Sequence, residues 1–210
     1  MTAGTLPPTS PVAVLFGGKE LTPEESVNYS AGFVLTPTPN LTASVDFYRI
    51  EVDDRIGLTQ RYTLTAEQRA ALVAANFPAA ADLTQVNFFT NGYATLTKGI
   101  DAVVSYHRAF GPGQLGITAA YNHNDTEITR ADPGVVSVQT RTRIEDQTPS
   151  NTATLTTEYQ WGRWDVLVRG RYYGSWTDPL GDNPAQNQRV GQLTFVDLAD
   201  HLLEQILEAD

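Results

Sequence analysis

From Glu24 onward the side chains of this 210-residue chain change polarity one residue at a time. The segments that do so are joined alternately by tight turns and by long polar excursions. In residues 26–36, Val27, Tyr29, Ala31, Phe33 and Leu35 fall on one side of an extended chain, with Ser26, Asn28, Ser30 and Gly32 on the other. Tight links stand at Thr36-Pro37-Thr38-Pro39-Asn40, Phe110-Gly111-Pro112-Gly113 and Trp161-Gly162-Arg163, whereas residues 53–83, 126–147 and 177–189 are long. Every second connection is long, so the long ones emerge together at one end of an antiparallel meander. A soluble sandwich gives no reason for such a division. A transmembrane β-barrel wall does, because its two rims face different compartments.

Composition sets the outer bounds. With 41% hydrophobic and 10% aromatic residues the chain is not a disordered one. Its longest apolar run, Ala70-Ala71-Leu72-Val73-Ala74-Ala75, falls far short of the ~20 residues of a spanning helix. A spanning strand needs only about 9–11 residues with every second one apolar, so a mean hydropathy of -0.26 is no obstacle. The formal net charge of -10 excludes a phosphate-backbone partner, which demands clustered cations, so no nucleic acid is expected. Zero cysteines exclude disulfides and thiolate chemistry. No Ser-His-Asp arrangement, P-loop or dinucleotide fingerprint is present, so neither enzymatic activity nor a cofactor is expected. Met1–Pro8 has neither the basic region nor the apolar core of a secretory leader.

Three regions follow along the chain. Residues 1–23, rich in Pro, Thr and Gly, read as an irregular lead-in, and residues 24–198 read as about seven long antiparallel strands. Residues 199–210 have helical spacing and read as a helical C-terminal tail. The fold expected is all-β, a meander forming part of a transmembrane barrel. In the second strand Leu41, Ala43, Val45 and Phe47 alternate correctly, but the phase slips at Phe47-Tyr48. A β-bulge produces such a slip, and so does a strand leaving the lipid zone. Thr65-Ala66-Glu67-Gln68 has Thr and Gln at the N-cap and N3 places of a capping box, which predicts a short helix in the first long loop. Residues 85–110 read as one strand longer than a bilayer crossing.

Aromatic placement distinguishes a lipid-facing apolar side from a soluble core. Tyr159, Trp161 and Trp164 cluster at one turn, and Tyr172, Tyr173 and Trp176 lie about one bilayer thickness further along, as two membrane-interface girdles require. On this assignment Glu158, Arg169 and Arg171 face a watery lumen. There they contact a plug, guide an anionic ligand or form an ion-pair ladder between strands, the last being the favoured reading. The apolar residues Ile117, Leu155, Val166 and Val168 must then lie bare; their meeting beneath a covering layer would contradict a barrel wall. His123-Asn124-Asp125 and the pair His201 and Glu204 are weak metal candidates and read as solvated polar groups.

Several stretches carry a family resemblance. Leu21-Thr22-Pro23-Glu24-Glu25-Ser26-Val27-Asn28-Tyr29-Ser30-Ala31-Gly32 resembles the entry to a late barrel strand in TonB-dependent outer-membrane receptors. Asp46-Phe47-Tyr48-Arg49-Ile50-Glu51-Val52-Asp53-Asp54-Arg55-Ile56 is similar to a strand end of that family. Phe88-Phe89-Thr90-Asn91, Lys98-Gly99-Ile100-Asp101, Thr148-Pro149-Ser150-Asn151 and Tyr172-Tyr173-Gly174 fit in order across residues 6–198. The resemblance implies active import of a small-molecule ligand (a siderophore, a cobalamin-like molecule or a carbohydrate) across the outer membrane of a Gram-negative bacterium. It also implies partners: outer-membrane lipid, the remaining barrel strands, a plug, and the TonB complex acting through that plug. The TonB box, plug and first half of the barrel have no counterpart in these residues, so the chain is expected to be a receptor fragment that does not function alone. A small passive barrel or porin and a soluble β-rich binding module are the alternatives.

Overall fold

The computed structural model describes residues 2–202. Seven strands form its main sheet: β2 (Glu25–Thr38), β3 (Leu41–Leu58), β5 (Leu83–Phe110), β6 (Gly113–Ala131), β7 (Asn151–Trp161), β8 (Trp164–Tyr173) and β11 (Leu193–Leu202). Among the described residues each pairs antiparallel with its neighbour in that order, and the first and last do not meet, so the barrel is not closed. The expected meander is the observed one.

Its rims differ as the loop pattern requires. Thr38 pairs with Leu41, Phe110 with Gly113 and Trp161 with Trp164, so each tight link is a two-residue turn. Gly111 and Gly162 take φ of +56° and +57° at the first turn position, where twisted hairpins favour glycine. The connections 59–82, 132–150 and 174–192 all lie at the opposite end.

That end carries a small core of its own. The short strand β1 (Thr2–Leu6) pairs parallel with the start of β5, and β4 (Tyr62–Thr63) pairs there too. Helix α1 (Pro11–Leu15) has Ser10 as N-cap and proline in its first turn, and α2 (Ala66–Ala74) starts at Thr65 with a complete capping box. Val12, Leu64, Leu72, Ala80, Leu83 and Val86 form the buried cluster between them. The lead-in is therefore not irregular. The apolar patch Val12-Ala13-Val14-Leu15-Phe16 becomes a helix because it can bury Val12 and Ala13 against β5 and the first excursion, a partnership 70 residues distant that local pattern does not reveal.

Two further expectations are settled by register. Pairing of β3 with β2 and β5 runs unbroken through Phe47 and Tyr48, and its irregularities fall at the turn end beside Leu41 and around Arg55. No bulge explains the phase slip. Tyr48 and Ile50 stay on the polar side while Arg49 and Glu51 continue the apolar side, as in a strand rising above the greasy band. At the other end of the chain, Ala199-Asp200-His201-Leu202 continue β11 against Leu167, Val166, Asp165 and Trp164. The expected helix does not begin at 199, because strand pairing with β8 satisfies that backbone; residues 203–210 of the expected tail lie outside the described residues. The second long loop carries α3 (Val138–Glu145), and the last carries the hairpin-like pair β9 (Trp176–Asp178) and β10 (Gln188–Val190), which form a separate two-stranded sheet.

Candidate functional site

In a sheet, directly paired residues share a face, so register assigns every side chain to one side. Starting from Leu155, which pairs with Ala119 and Gly170, one face collects Val27, Tyr29, Phe33 and Leu35 from β2, Ala43, Val45 and Phe47 from β3, and Ile100, Ala102, Val104 and Tyr106 from β5. It continues with Leu115, Ile117, Ala119 and Tyr121 from β6, Leu155 and Tyr159 from β7, Val166 and Val168 from β8, and Val196 and Leu198 from β11. No layer covers it. Leu155 is 53% exposed and Val166 and Val168 are each 41% exposed, with Ile117 half-buried. Such a continuous bare apolar band is far larger than a soluble monomer tolerates.

Four of the six expected interface aromatics sit on this face, and Tyr173, paired with Thr152, lies on the other. Trp161 pairs with Trp164 at the tight rim, Tyr159 pairs with Val166, and Tyr172 pairs with Ala153 near the other edge. Trp164 and Tyr172 are eight residues apart on β8, about 26 Å along a strand. Tyr29, Tyr106 and Tyr121 extend the two rows across β2, β5 and β6, although the sequence reading did not single them out; their parity within each strand was the available signal. Trp176 lies off these two rows. The β8 strand ends at Tyr173, and Trp176 pairs with Val190 in the small β9–β10 sheet of the last loop.

The opposite face is polar. Glu158, Arg169 and Arg171 all lie on it, since Glu158 pairs with Gly116 and Leu167, Arg169 with Thr156, and Arg171 with Thr154. Arg171 forms a fork on Asp197 of β11, with Nη2 donating to Oδ1 at 3.0 Å and Nε 2.9 Å from Oδ2 but off the hydrogen-bond axis. Arg169 Nε donates to Thr156 Oγ1 at 3.1 Å. The two arginines thus tie β8 to its neighbours on both sides, whereas Glu158 is exposed and forms no salt bridge among the described residues. Asn122 donates to Asp101 Oδ1 at 2.6 Å, and Asn124 donates to Asn122 at 3.0 Å. This face is mostly a hydrogen-bonded polar lattice, with Val34, Val103 and Leu167 among its members and the rings of Tyr173 and Phe195 set into it edge to face, 6.0 Å between centroids.

Of the two metal candidates, the one at His123 does not assemble, and the other, His201 with Glu204, lies outside the described side chains. His123 lies on the apolar side near its edge, where Nδ1 is 3.0 Å from Asn151 Oδ1, while Asn124 faces the polar side. Among the described residues no three His, Asp or Glu groups converge.

A profile described as TonB dependent receptor-like, beta-barrel, matches residues 1–200. The chain belongs to the TonB-dependent receptor β-barrel family. No curated protein matches it in sequence. Solved structures of low identity share its fold. The ferripyoverdine receptor of the outer membrane of Pseudomonas aeruginosa is 20% identical with a TM-score of 0.53, over 88% of this chain and 22% of that one. The FrpB iron transporter from Neisseria meningitidis is 15% identical with a TM-score of 0.56, over 87% and 24%. The copper transporter OprC is 15% identical with a TM-score of 0.53, over 92% and 25%. The chain thus spans about a quarter of the length of the receptors it resembles. The family and its fold are those of transport receptors rather than enzymes.

Proposed function

We propose that this TonB-dependent receptor segment forms part of the wall of an outer-membrane importer that takes up a scarce small ligand with energy from the TonB complex acting on a plug. The observation that carries the reading is the two-sided wall: a bare apolar band edged by aromatics, backed by a hydrogen-bonded polar surface, on a chain that matches its family from residue 1 to 200. Family ligands include siderophores, cobalamin-like molecules and carbohydrates. The free edges of β2 and β11 are where the remaining strands of a closed barrel would pair. Lipid of a Gram-negative outer membrane would meet the apolar face, and a plug would meet Glu158, Arg169 and Arg171.

Energised uptake tests this. Cells that make the receptor containing this chain should accumulate a ligand, and accumulation should stop when TonB is deleted or the proton gradient collapsed. The purified chain alone, reconstituted in liposomes, should not transport. Uptake indifferent to TonB would favour a passive barrel, and a detergent-free monodisperse monomer would favour a soluble binding module.

A further inference from the structure

Toward the long-loop rim the outward face of the sheet changes from apolar to charged, and it does so in a fixed order. Register sets Phe47 of β3 beside Ile100 of β5, then Arg49 beside Lys98 with Asp125 ending their row, then Glu51 and Glu127 on either side of Leu96. Apolar side chains come first, cations next and two further carboxylates last. Each row stands two residues beyond the one before, about 7 Å along a strand. A groove of about 460 Å³ spans the first two rows, lined by Phe47, Ile100, Arg49, Lys98, His123 and Asp125. Tyr29, one of the aromatics on this face, pairs with Arg49. The groove therefore lies level with the long-loop girdle, where hydrocarbon gives way to lipid headgroups.

The charges there are not consumed by the fold. Arg49 pairs with Glu51, and Lys98 Nζ stands 3.7 Å from Glu127 Oε1, so each cation leans on a carboxylate of the row beyond. The four side chains are 38–54% exposed. Ion pairs this open hold little free energy, and a ligand that offers both cations an anion and both carboxylates a cation can enter between them at small cost.

The order of the rows selects that ligand. A phospholipid presents acyl chain, then phosphate, then the group that caps the phosphate. With its chain on Phe47 and Ile100, its phosphate falls at Arg49 and Lys98, where charge-assisted hydrogen bonds form. The cap then falls among Asp125, Glu51 and Glu127. These three carboxylates outnumber the two cations, so a headgroup that is only anionic is repelled from the outer row. A primary ammonium one short link from the phosphate donates to that row and balances it.

We propose that this groove is a binding site for a zwitterionic phospholipid of the phosphoethanolamine class, its phosphate on Arg49 and Lys98 and its ammonium among Asp125, Glu51 and Glu127. The assignment rests on the reading that the outward face meets lipid, and it makes one patch of that face selective.

The test uses the receptor that contains this chain, extracted from membranes in detergent and stripped of lipid. Phosphatidylethanolamine and phosphatidylglycerol are added in turn, and the lipid retained is counted by native mass spectrometry. The parent should retain phosphatidylethanolamine with a preference of about tenfold over phosphatidylglycerol. Arg49→Gln and Lys98→Gln should each weaken that retention about fivefold. Glu51→Gln combined with Glu127→Gln should erase the preference while leaving both lipids bound. Arg108→Gln, an outward arginine beside Leu115 at the opposite rim, should change neither. Strand circular dichroism equal to the parent's shows that the variants are folded. Three results overturn the assignment: no retention of phosphatidylethanolamine by folded protein, equal retention of the two lipids by the parent, or a loss on Arg108→Gln as large as that on Arg49→Gln. Each of these leaves a lipid-facing wall without a selective groove, whereas failure of the folded receptor to insert into any phospholipid vesicle would remove the lipid-facing reading itself.

Discussion

Two glycines show how differently single residues constrain this wall. Gly162 has nothing within 4 Å of where a Cβ would stand, but its φ of +57° is in the left-handed region. Gly162→Ala should therefore cost about 1 kcal/mol through backbone strain alone. Gly99 has an ordinary backbone, and a Cβ there would run into the Tyr48 ring and stand 2.7 Å from the His123 carbonyl oxygen. Backbone cannot swing aside as a side chain does, so Gly99→Ala should cost more, about 1–3 kcal/mol. Urea unfolding of the detergent-solubilised protein should rank the two in that order. A third residue reports on pH. Asp182 lies in the last loop, and its carboxyl is held below the usual carboxylate range by the Ser137 hydroxyl, by the Gln139 N–H that donates to Oδ1 at 3.0 Å, and by Arg143. Because its folded value is depressed, the contact stabilises the loop above the unfolded value of about 3.9 and is lost as pH falls through the lower folded value. Carboxyl NMR titration should find Asp182 titrating below ordinary aspartates, and Ser137→Ala should bring it back toward them.

At the scale of elements, what could be seen in the sequence was what is local. The capping box at Thr65 is complete within four residues, so α2 was legible, and Thr65→Ala should cost about 1 kcal/mol. That loss should show as faster amide exchange over residues 66–74 with little change in the main sheet, since only Leu72 anchors the helix to the buried cluster. The alternation in β2, β6, β7 and β8 was equally legible because each strand writes its two faces into its own residues. Elements that depend on distant partners were not. Helix α1 lies in a stretch whose composition reads as irregular, and its reason to fold is Leu64, Leu72 and Val86. The stretch 199–202 has helical spacing, but its backbone finds β8, and a paired strand outranks a weak amphipathic pattern. Trp176 looked like the far girdle because counting along an assumed straight strand ignores the exit at Gly174, where the chain turns to β9. The same parity count that placed Glu158, Arg169 and Arg171 on one face could not supply Asp197 as the fork's partner, because β8 and β11 are separated by a loop of no fixed register in sequence.

For the whole molecule, everything turns on which face meets lipid, and one pair of substitutions decides it. Val168 sits midway between Trp164 and Tyr172 on β8, beside Thr157 and Leu198 on the apolar face. Thr118 occupies the polar face of β6 between Ser105 and Thr156. An arginine at position 168 would have to reach the interface through hydrocarbon, so Val168→Arg should destabilise the membrane-inserted state by about 2–4 kcal/mol. An arginine at position 118 enters a surface already made of hydroxyls, amides and charges, and Thr118→Arg should stay within about 0.5 kcal/mol. In a soluble sheet with a covering layer both positions would be judged by packing alone, and in water without a layer neither would matter, because Val168 is already 41% exposed. The asymmetry therefore appears only if hydrocarbon fills the space outside β8. Folding titrations into phospholipid vesicles measure it directly, and equal costs at the two positions would mean that the bare apolar band is not a lipid-facing surface.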